Sequence, residues 1–262
     1  MTEEHPVGEQ SNEAGRAEQI RERLEAVRAR VDQATRAAGR DRAPEIVVVT
    51  KFHPAQDVRT LARLGVRAVG ENRDQEARAK AEQTADLDLD WHFVGQLQTN
   101  KSKYVVRYAA AVQSVDRADL VDALDAAMGR EQNRRSEQGR DLRAPLDCLI
   151  QVDLDRRPEE ERPPGIGARG GARPDEVADL AARISAAEHL RLRGVMAVAP
   201  REVDPAEPFQ ELAEISARLR QDHPEADWIS AGMSADLEEA IDAGATHLRI
   251  GTDVLGPRPA VG

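Results

Sequence analysis

The sequence predicts a single-domain (β/α)8 barrel of the TIM type, an α/β fold. Its 262 residues suit one barrel of about 250 residues. Eight short apolar segments alternate with segments of helical periodicity along the chain. Because strands that alternate with helices form right-handed βαβ units around a parallel sheet, eight such units indicate a closed barrel. An open doubly wound sheet would show the same alternation, and the lack of a G-x-G-x-x-G turn after the first strand disfavours it only weakly.

The eight predicted strands are short and rich in apolar residues. In chain order they cover residues 46–50, 67–70, 91–95, 111–115, 147–153, 193–198, 228–231 and 248–250. Helical segments lie between them, among them 57–64 and 118–128. These two stop before Gly65 and Gly129, and glycine is a common residue just after the end of a helix.

The segment before the first strand predicts a long amphipathic helix. Residues 16–39 place Ile20, Leu24, Val27 and Val31 along one face. Residues 251–262, which follow the last strand, are too few for a full outer helix. We therefore expect the N-terminal helix to fill the position of the eighth outer helix.

Two segments have compositions that leave little to bury. Residues 1–14 are polar and predict a disordered tail before a barrel domain that covers residues 15–258. Residues 156–174 combine proline, glycine and charge, and predict a flexible loop within the fold.

Composition argues against several functional classes. A net charge of -11, a pI near 5.2 and 3% aromatic residues are untypical of proteins that bind nucleic acids. The single cysteine, Cys148, excludes an intramolecular disulfide, and its apolar neighbours indicate a core residue. No apolar run approaches the roughly 20 residues that span a membrane, and the N-terminus lacks the features of a secretory signal. We expect a cytoplasmic protein without membrane contact.

Lysine is rare in this chain, and one lysine has a suggestive position. Of 37 basic residues only Lys51, Lys80, Lys101 and Lys103 are lysines. Lys51 follows the first predicted strand, and an amine that loses its proton can attack a carbonyl to form a Schiff base, which arginine cannot do. Lys80 lies in a charged helical run and is expected to be a solvated partner for a residue four positions away.

Residues at the strand ends should meet, because the active face of such a barrel lies at the carboxyl ends of its strands. The seventh and eighth strands are followed by the glycine-containing turns 232–234 and 251–252. Free N–H groups at these turns are a typical phosphate site. Ser234 also fits the N-cap of the next helix, and the two roles are compatible.

Arg249 and two histidines have more ambiguous positions. Strand alternation directs Arg249 to the opposite face from its apolar neighbours, into the barrel. Taken alone, it is more typical of a salt-bridged structural group than of a ligand contact. His53 and His92 are typical of hydrogen-bonded packing residues, and the sequence predicts no metal site. A lysine facing a phosphate site fits pyridoxal 5'-phosphate (PLP), and it also fits a sugar-phosphate aldolase that uses a Schiff-base lysine.

Several segments resemble the pyridoxal phosphate homeostasis proteins, also called YggS proteins, which are small single-domain relatives of the alanine racemase barrel. The matching segments are residues 47–51, 70–72, 91–98 with 100–101, 192–197, 232–236, 240–246 and 249–252. They occur in order and span roughly residues 15 to 258. The chain departs from the family in its expanded loop 156–174, where 169–171 is a remnant of the family's element, and in the final turn 253–256.

The resemblance implies a PLP barrel of fold type III without the C-terminal β-domain of the racemases. It implies that Lys51 forms an aldimine with PLP and that the turns 232–234 and 251–252 bind the phosphate. It also makes Arg249 the partner of the pyridine nitrogen, which replaces the structural role favoured above. The cofactor-binding residues implied in this way are Lys51, Asn72, His92, Met196, Gly232, Met233, Ser234, Arg249, Gly251 and Thr252.

The implied function is PLP homeostasis, by storage, buffering or delivery, with no or negligible turnover and therefore no catalytic residues. The alternative is a PLP-dependent amino-acid racemase. Two-base racemisation needs a second acid or base, which the alanine racemases take from a tyrosine of their added domain. Tyr104 and Tyr108 lie in the helical segment after the third strand and are poor substitutes. The expected partners are PLP and the PLP-dependent apoenzymes or PLP-synthesis enzymes, with the chain itself a monomer.

Overall fold

The computed structural model describes residues 7–162 and 170–258, with the side chains of the first helix from residue 13. Eight parallel strands hydrogen-bond in chain order, and the eighth returns to the first, so the sheet is a closed barrel. The predicted fold is confirmed. The strands are β1 (Glu45–Val49), β2 (Ala68–Glu71), β3 (Asp90–Phe93), β4 (Ala109–Val115), β5 (Leu146–Gln151), β6 (Leu190–Met196), β7 (Trp228–Ser230) and β8 (His247–Ile250).

Helices surround this barrel. They are α1 (Val7–Ala37), α2 (Ala55–Arg63), α3 (Asp74–Gln83), α4 (Ser102–Val105), α5 (Ala118–Glu137), α6 (Val177–Ala186), α7 (Ala206–Asp222), α8 (Leu237–Asp242) and α9 (Thr252–Leu255). Single 3-10 turns lie at Thr99–Lys101, Glu159–Glu161 and Pro174–Glu176. Within the described part of the chain, none of these helices has the length and apolar character needed to cross a bilayer.

All eight predicted strands are present, and their bounds differ by a few residues. The largest shift at a strand start is in β6, which begins at Leu190 and not at residue 193. The charged residue Arg191 interrupts the apolar run, so the sequence does not indicate that the strand starts before it. Arg191 faces outward between buried Leu190 and Leu192, and its Nε lies 2.5 Å from Asp147 Oδ1. The sequence predicts that β1 ends at Thr50, but the strand ends at Val49 and Thr50 follows it.

The sequence predicts that two helices end just before a glycine, and the structure confirms only one of these ends. Gly65 follows α2 with φ +80°, a left-handed conformation that favours glycine. The helix predicted to stop before Gly129 continues to Glu137, so that stop is wrong. A Cβ atom at Gly129 would lie 2.9 Å from His189 Nε2, and close packing explains the glycine there.

Helix α1 fills the position of an eighth outer helix, as predicted. It packs against α8 and α9 on one side and α2 on the other, and it buries Ile20, Leu24, Val27 and Val31. Arg16 pairs with Asp57 at 2.6 Å and Arg30 with Glu238 at 2.6 Å, so α1 is tied to both neighbouring helices.

The two segments with a predicted lack of order are described only in part. Residues 1–6 lie outside the described residues, while residues 7–14 belong to α1 and not to a tail. Residues 163–169 of the loop also lie outside the described residues. Its second flank returns to the barrel, where Val152 forms an isolated parallel bridge with Ala172. The order of the loop stays a prediction. Cys148 is fully buried in β5, as expected of a core residue.

Leu24→Ala tests the role of α1 as an outer helix of the barrel. Because Leu24 is 1% exposed, the substitution should lower the free energy of unfolding by about 2–5 kcal/mol. Urea unfolding followed by circular dichroism measures the change. Gln33→Ala, at an exposed position of the same helix, should stay within about 0.5 kcal/mol of the unsubstituted protein. Equal effects of the two substitutions would contradict a docked helix.

Candidate functional site

A cavity of about 420 Å³ opens at the carboxyl ends of the strands, and its size suits a small molecule. It brings together most of the residues expected at a cofactor site. The predicted residues that line it are Lys51, Asn72, Met233, Ser234, Arg249, Gly251 and Thr252. Gly232 precedes Met233 in the same turn, and Met196 lines a neighbouring cavity that also includes Met233. His92 lines neither of these two cavities.

Lys51 supplies the nucleophilic group of this cavity. It is half-buried at the end of β1. Burial and the nearby Arg258 guanidinium lower the pKa of the Lys51 amine, and the Glu71 carboxylate opposes them. A lowered pKa increases the fraction of free amine at neutral pH, which is the form that attacks a carbonyl.

Arg249 is a buried cation without an ion pair. Its Nη1 donates to Ser230 Oγ at 2.7 Å and its Nη2 to the Ala197 carbonyl at 2.7 Å. Among the described residues it forms no salt bridge, so the structural role suggested by the residue alone is not supported. Burial lowers the pKa of Arg249 to about 10, while the Asp236 carboxylate opposes this shift, and the group stays charged at neutral pH. A buried cation with spare donors suits a polar group of a ligand.

A chain of hydrogen bonds beneath Arg249 fixes its position. Ser230 Oγ donates to Gln113 Oε1 at 2.7 Å, and Gln113 Nε2 lies 2.8 Å from His92 Nδ1. If the Gln113 amide donates there, His92 carries its proton on Nε2. His92 therefore supports Arg249 from within the barrel and does not face the cavity, unlike the contact implied by the resemblance. Gln113 and Ser230 are not among the residues predicted from the sequence, although a polar residue inside each of the strands β4 and β7 was the available signal.

The turn after β7 differs from the prediction in one detail. Helix α8 begins at Leu237 with Asp236 as its N-cap residue, so Ser234 is not the N-cap. Asp236 Oδ1 accepts the Met233 N–H at 2.6 Å, which already occupies one donor of this turn. Gly232 has φ +87°, and a Cβ atom there would lie 2.6 Å from Ala240 Cβ, so the turn requires glycine.

Asn72 presents an unsatisfied polar atom where it lines the cavity. Its Oδ1 is buried and has no hydrogen-bond partner within the described structure. Gly95, two residues after β3, allows this close packing, because a Cβ atom there would lie 2.3 Å from the Asn72 carbonyl oxygen. A buried acceptor without a partner is costly, and a ligand donor would satisfy it.

Two further residues shape the rim of the cavity. The Arg258 guanidinium lies 4.3 Å from the centre of the Phe52 ring, and the Arg73 guanidinium lies 5.0 Å from it. Phe52 and Arg258 both line the cavity. Neither residue is among those predicted from the sequence, since the packing of a cation on a ring far away in the chain leaves no periodic pattern. His53 also lines the cavity, and its Nδ1 lies 3.4 Å from Asp57 Oδ2.

The two tyrosines lie elsewhere. Tyr104 is on α4 beneath several cations, and the Arg78 guanidinium lies 4.6 Å from its ring centre. Tyr108 packs edge-on against Trp91, with ring centres 6.5 Å apart. Neither residue lines the cavity of Lys51, which agrees with the expectation that neither serves as a second base there.

Lys80 is the clearest error among the predicted residues. Its expected partner four positions away exists, since Nζ lies 2.7 Å from Glu76 Oε1. However, the Lys80 side chain is only 6% exposed and also pairs with buried Glu71 at 2.5 Å. A helix pattern cannot reveal that a neighbouring strand supplies a second carboxylate.

Residues 23–259 match the family model described as the alanine racemase N-terminal domain. The pyridoxal phosphate homeostasis protein of Corynebacterium glutamicum is 40% identical over 82% of this chain and 90% of its own length. The protein of the same name from Mycobacterium tuberculosis is 39% identical over 93% of this chain and 94% of its own.

Two solved structures are similar to this chain over most of its length. PipY of Synechococcus elongatus with PLP bound has a TM-score of 0.72 and 29% identity, and the match covers 90% of this chain and all of PipY. Alanine racemase from Corynebacterium glutamicum matches with a TM-score of 0.62 at 14% identity, over 94% of this chain and 62% of that enzyme. The second likeness concerns the fold alone.

The Lys51 amine should titrate below the ordinary lysine value of 10.5. The physical reason is the burial of Lys51 and its proximity to Arg258, which both disfavour the charged form. The pH dependence of acetylation by acetic anhydride, quantified for the Lys51 peptide by mass spectrometry, gives the midpoint. Acetylation of Lys103, which is exposed, is quantified in the same sample as a reference for the effective concentration of the reagent. A midpoint for Lys51 at or above 10.5 would contradict the described environment.

His92 should make the protein less stable at acidic pH. Burial lowers its pKa from 6.5 to about 4. Between these values the unfolded chain binds a proton that the folded chain does not, so the free energy of unfolding falls as the pH drops from 6.5 to 4. The loss amounts to about 3 kcal/mol. His92→Asn, whose side chain does not titrate, should remove this part of the pH dependence in urea titrations, whereas His223→Asn should retain it.

Proposed function

Because the chain belongs to the family of pyridoxal phosphate homeostasis proteins, within the alanine racemase N-terminal domain fold, we propose that it binds PLP and acts in PLP homeostasis. The observation that carries this proposal is one cavity that combines the Lys51 amine with the Arg249 cation, which has no ion pair with any residue that the structure describes. PLP has an aldehyde, a pyridine nitrogen and a phosphate, and the cavity offers a separate polar group for each.

Lys51 would hold the aldehyde. With PLP bound, its free amine would form a C=N bond to the aldehyde carbon in place of the C=O bond, and the aldehyde oxygen would leave as one water molecule. The lowered pKa of Lys51 favours this reaction at neutral pH. The reverse reaction needs only water, and this reversibility suits storage, buffering or delivery.

The turns after β7 and β8 would bind the phosphate. The Ser234 hydroxyl and the segment Gly251–Thr252 border the cavity and can donate hydrogen bonds. The Met233 N–H does not contribute, because Asp236 already accepts from it. The proposed phosphate site therefore depends on Ser234 and on the turn after β8.

Arg249 would lie at the pyridine nitrogen. A cation there disfavours protonation of that nitrogen and so weakens the ring as an acceptor of electrons. Amino-acid turnover by PLP relies on that acceptor. A cationic neighbour thus lowers the capacity of the ring to stabilise negative charge at the α-carbon of an amino acid.

Other parts of the function stay predictions. We propose PLP-dependent apoenzymes as receivers of the cofactor and PLP-synthesis enzymes as its source. We also propose that the protein is a cytoplasmic monomer. Size-exclusion chromatography with light scattering measures the oligomeric state directly.

Lys51→Ala tests the central assignment. The purified protein with PLP should show the visible absorbance of a C=N linkage, and borohydride reduction should fix the label on the Lys51 peptide. Lys51→Ala should lose this band, while Lys103→Ala, at an exposed lysine, should keep it. A full band in Lys51→Ala would refute the assignment. Rapid exchange of the α-proton of D- or L-alanine in deuterated water would favour the racemase instead.

A further inference from the structure

A buried ion cluster lies directly behind Lys51. The Lys80 ammonium donates to the Thr50 carbonyl at 2.7 Å, to Glu71 Oε1 at 2.5 Å and to Glu76 Oε1 at 2.7 Å. An ammonium has three protons, so these bonds use all of them. We refer to Lys80, Glu71 and Glu76 as the Lys80 clamp.

The Lys80 clamp holds the backbone on both sides of Lys51. The Thr50 carbonyl belongs to the peptide group that precedes Lys51, and Lys80 binds it. The Phe52 N–H belongs to the peptide group that follows Lys51, and it donates to Glu76 Oε1 at 2.5 Å. One cluster of charges therefore fixes both peptide groups that flank Lys51.

The held backbone has an unfavourable conformation. Phe52 has φ +69°, in the left-handed region that residues with a side chain seldom adopt. Such a conformation persists only when its surroundings impose it. The bond from Phe52 to Glu76 and the packing of Arg73 and Arg258 on the Phe52 ring supply that constraint.

Stability alone does not account for the Lys80 clamp. Glu71 is fully buried, its Oε2 has no hydrogen-bond partner within the described structure, and burial raises its pKa. Buried ion clusters of this kind can often be replaced by apolar residues without loss of stability. A role in positioning gives a reason for the cluster at this place.

We propose that the Lys80 clamp positions Lys51 for reaction with an aldehyde, by fixing the two flanking peptide groups through Lys80 and Glu76. Glu76 and Lys80 act as positioning residues and do not touch the ligand. The proposal deepens the PLP-binding function and rests on it for its ligand. The clamp itself can be tested without PLP.

Comparison of Glu76→Ala with Glu76→Gln separates the effect of the hydrogen bonds that Glu76 accepts from the effect of its negative charge. Both remove the charge, but glutamine retains an oxygen that can accept from the Phe52 N–H and from Lys80. Alanine favours helices, so α3 should persist, and circular dichroism with thermal unfolding checks the fold. Glu82→Ala, at an exposed position of the same helix, is the matched control.

The first measurement is the acetylation midpoint of Lys51 in protein without PLP. Arg258 and Glu71 are the charged groups that act on this amine, and neither is altered. Loss of the bond to Phe52 should let Lys51 move toward solvent, so Glu76→Ala should raise the midpoint toward 10.5. Glu76→Gln and Glu82→Ala should stay close to the unsubstituted protein. Equal shifts in the two Glu76 variants, or no shift in Glu76→Ala, would overturn the proposal.

The second measurement is a double-mutant cycle on PLP affinity by equilibrium dialysis. Glu76→Ala should weaken PLP binding roughly tenfold when Lys51 is present, by analogy with residues that orient metal ligands. In Lys51→Ala it should change affinity less than about twofold, since no amine remains to be positioned. Equal losses in both backgrounds would overturn a role through Lys51. If the unsubstituted protein binds no PLP, the proposed function fails, and the acetylation midpoints still test the clamp.

Discussion

Closure of the parallel sheet is the constraint on which the rest of the structure depends. The strands bond in chain order and β8 bonds to β1, so their carboxyl ends meet at one rim. Residues from distant parts of the chain, such as Lys51, Asn72 and Arg249, thereby line one cavity. Helix α1 completes the outer layer that keeps this barrel covered.

The two buried cations, Lys80 and Arg249, differ in how the protein compensates the free-energy cost of burying their charge. Lys80 is paired with two carboxylates and a carbonyl, and its bonding capacity is used within the protein. Arg249 has neutral partners, Ser230 and Ala197, and retains donors for a ligand. The first cation organises the backbone, while the second supplies charge to the cavity. A charged group that the protein leaves without an ion pair is the more direct pointer to a ligand.

The barrel of this family also occurs in enzymes. Alanine racemase from Corynebacterium glutamicum has this fold at 14% identity, a level at which only the fold can be compared. The function therefore depends on the site residues. In this chain the Lys51 amine and the Arg249 cation line one cavity, where we propose that they retain PLP reversibly, and the tyrosines lie outside it.

The order of strands and helices, the place of α1 and the position of Lys51 after the first strand could be predicted from the sequence alone, because periodicity and strand ends are local features of the chain. The sequence also predicts that Arg249 points into the barrel, but it does not indicate whether this residue has a salt-bridge partner. The burial of Lys80, the N-cap at Asp236 in place of Ser234, and the support of Arg249 by His92 through Gln113 and Ser230 became visible only in the folded chain. Each of these depends on which groups from different elements come within bonding distance, and residue spacing along one element does not specify that.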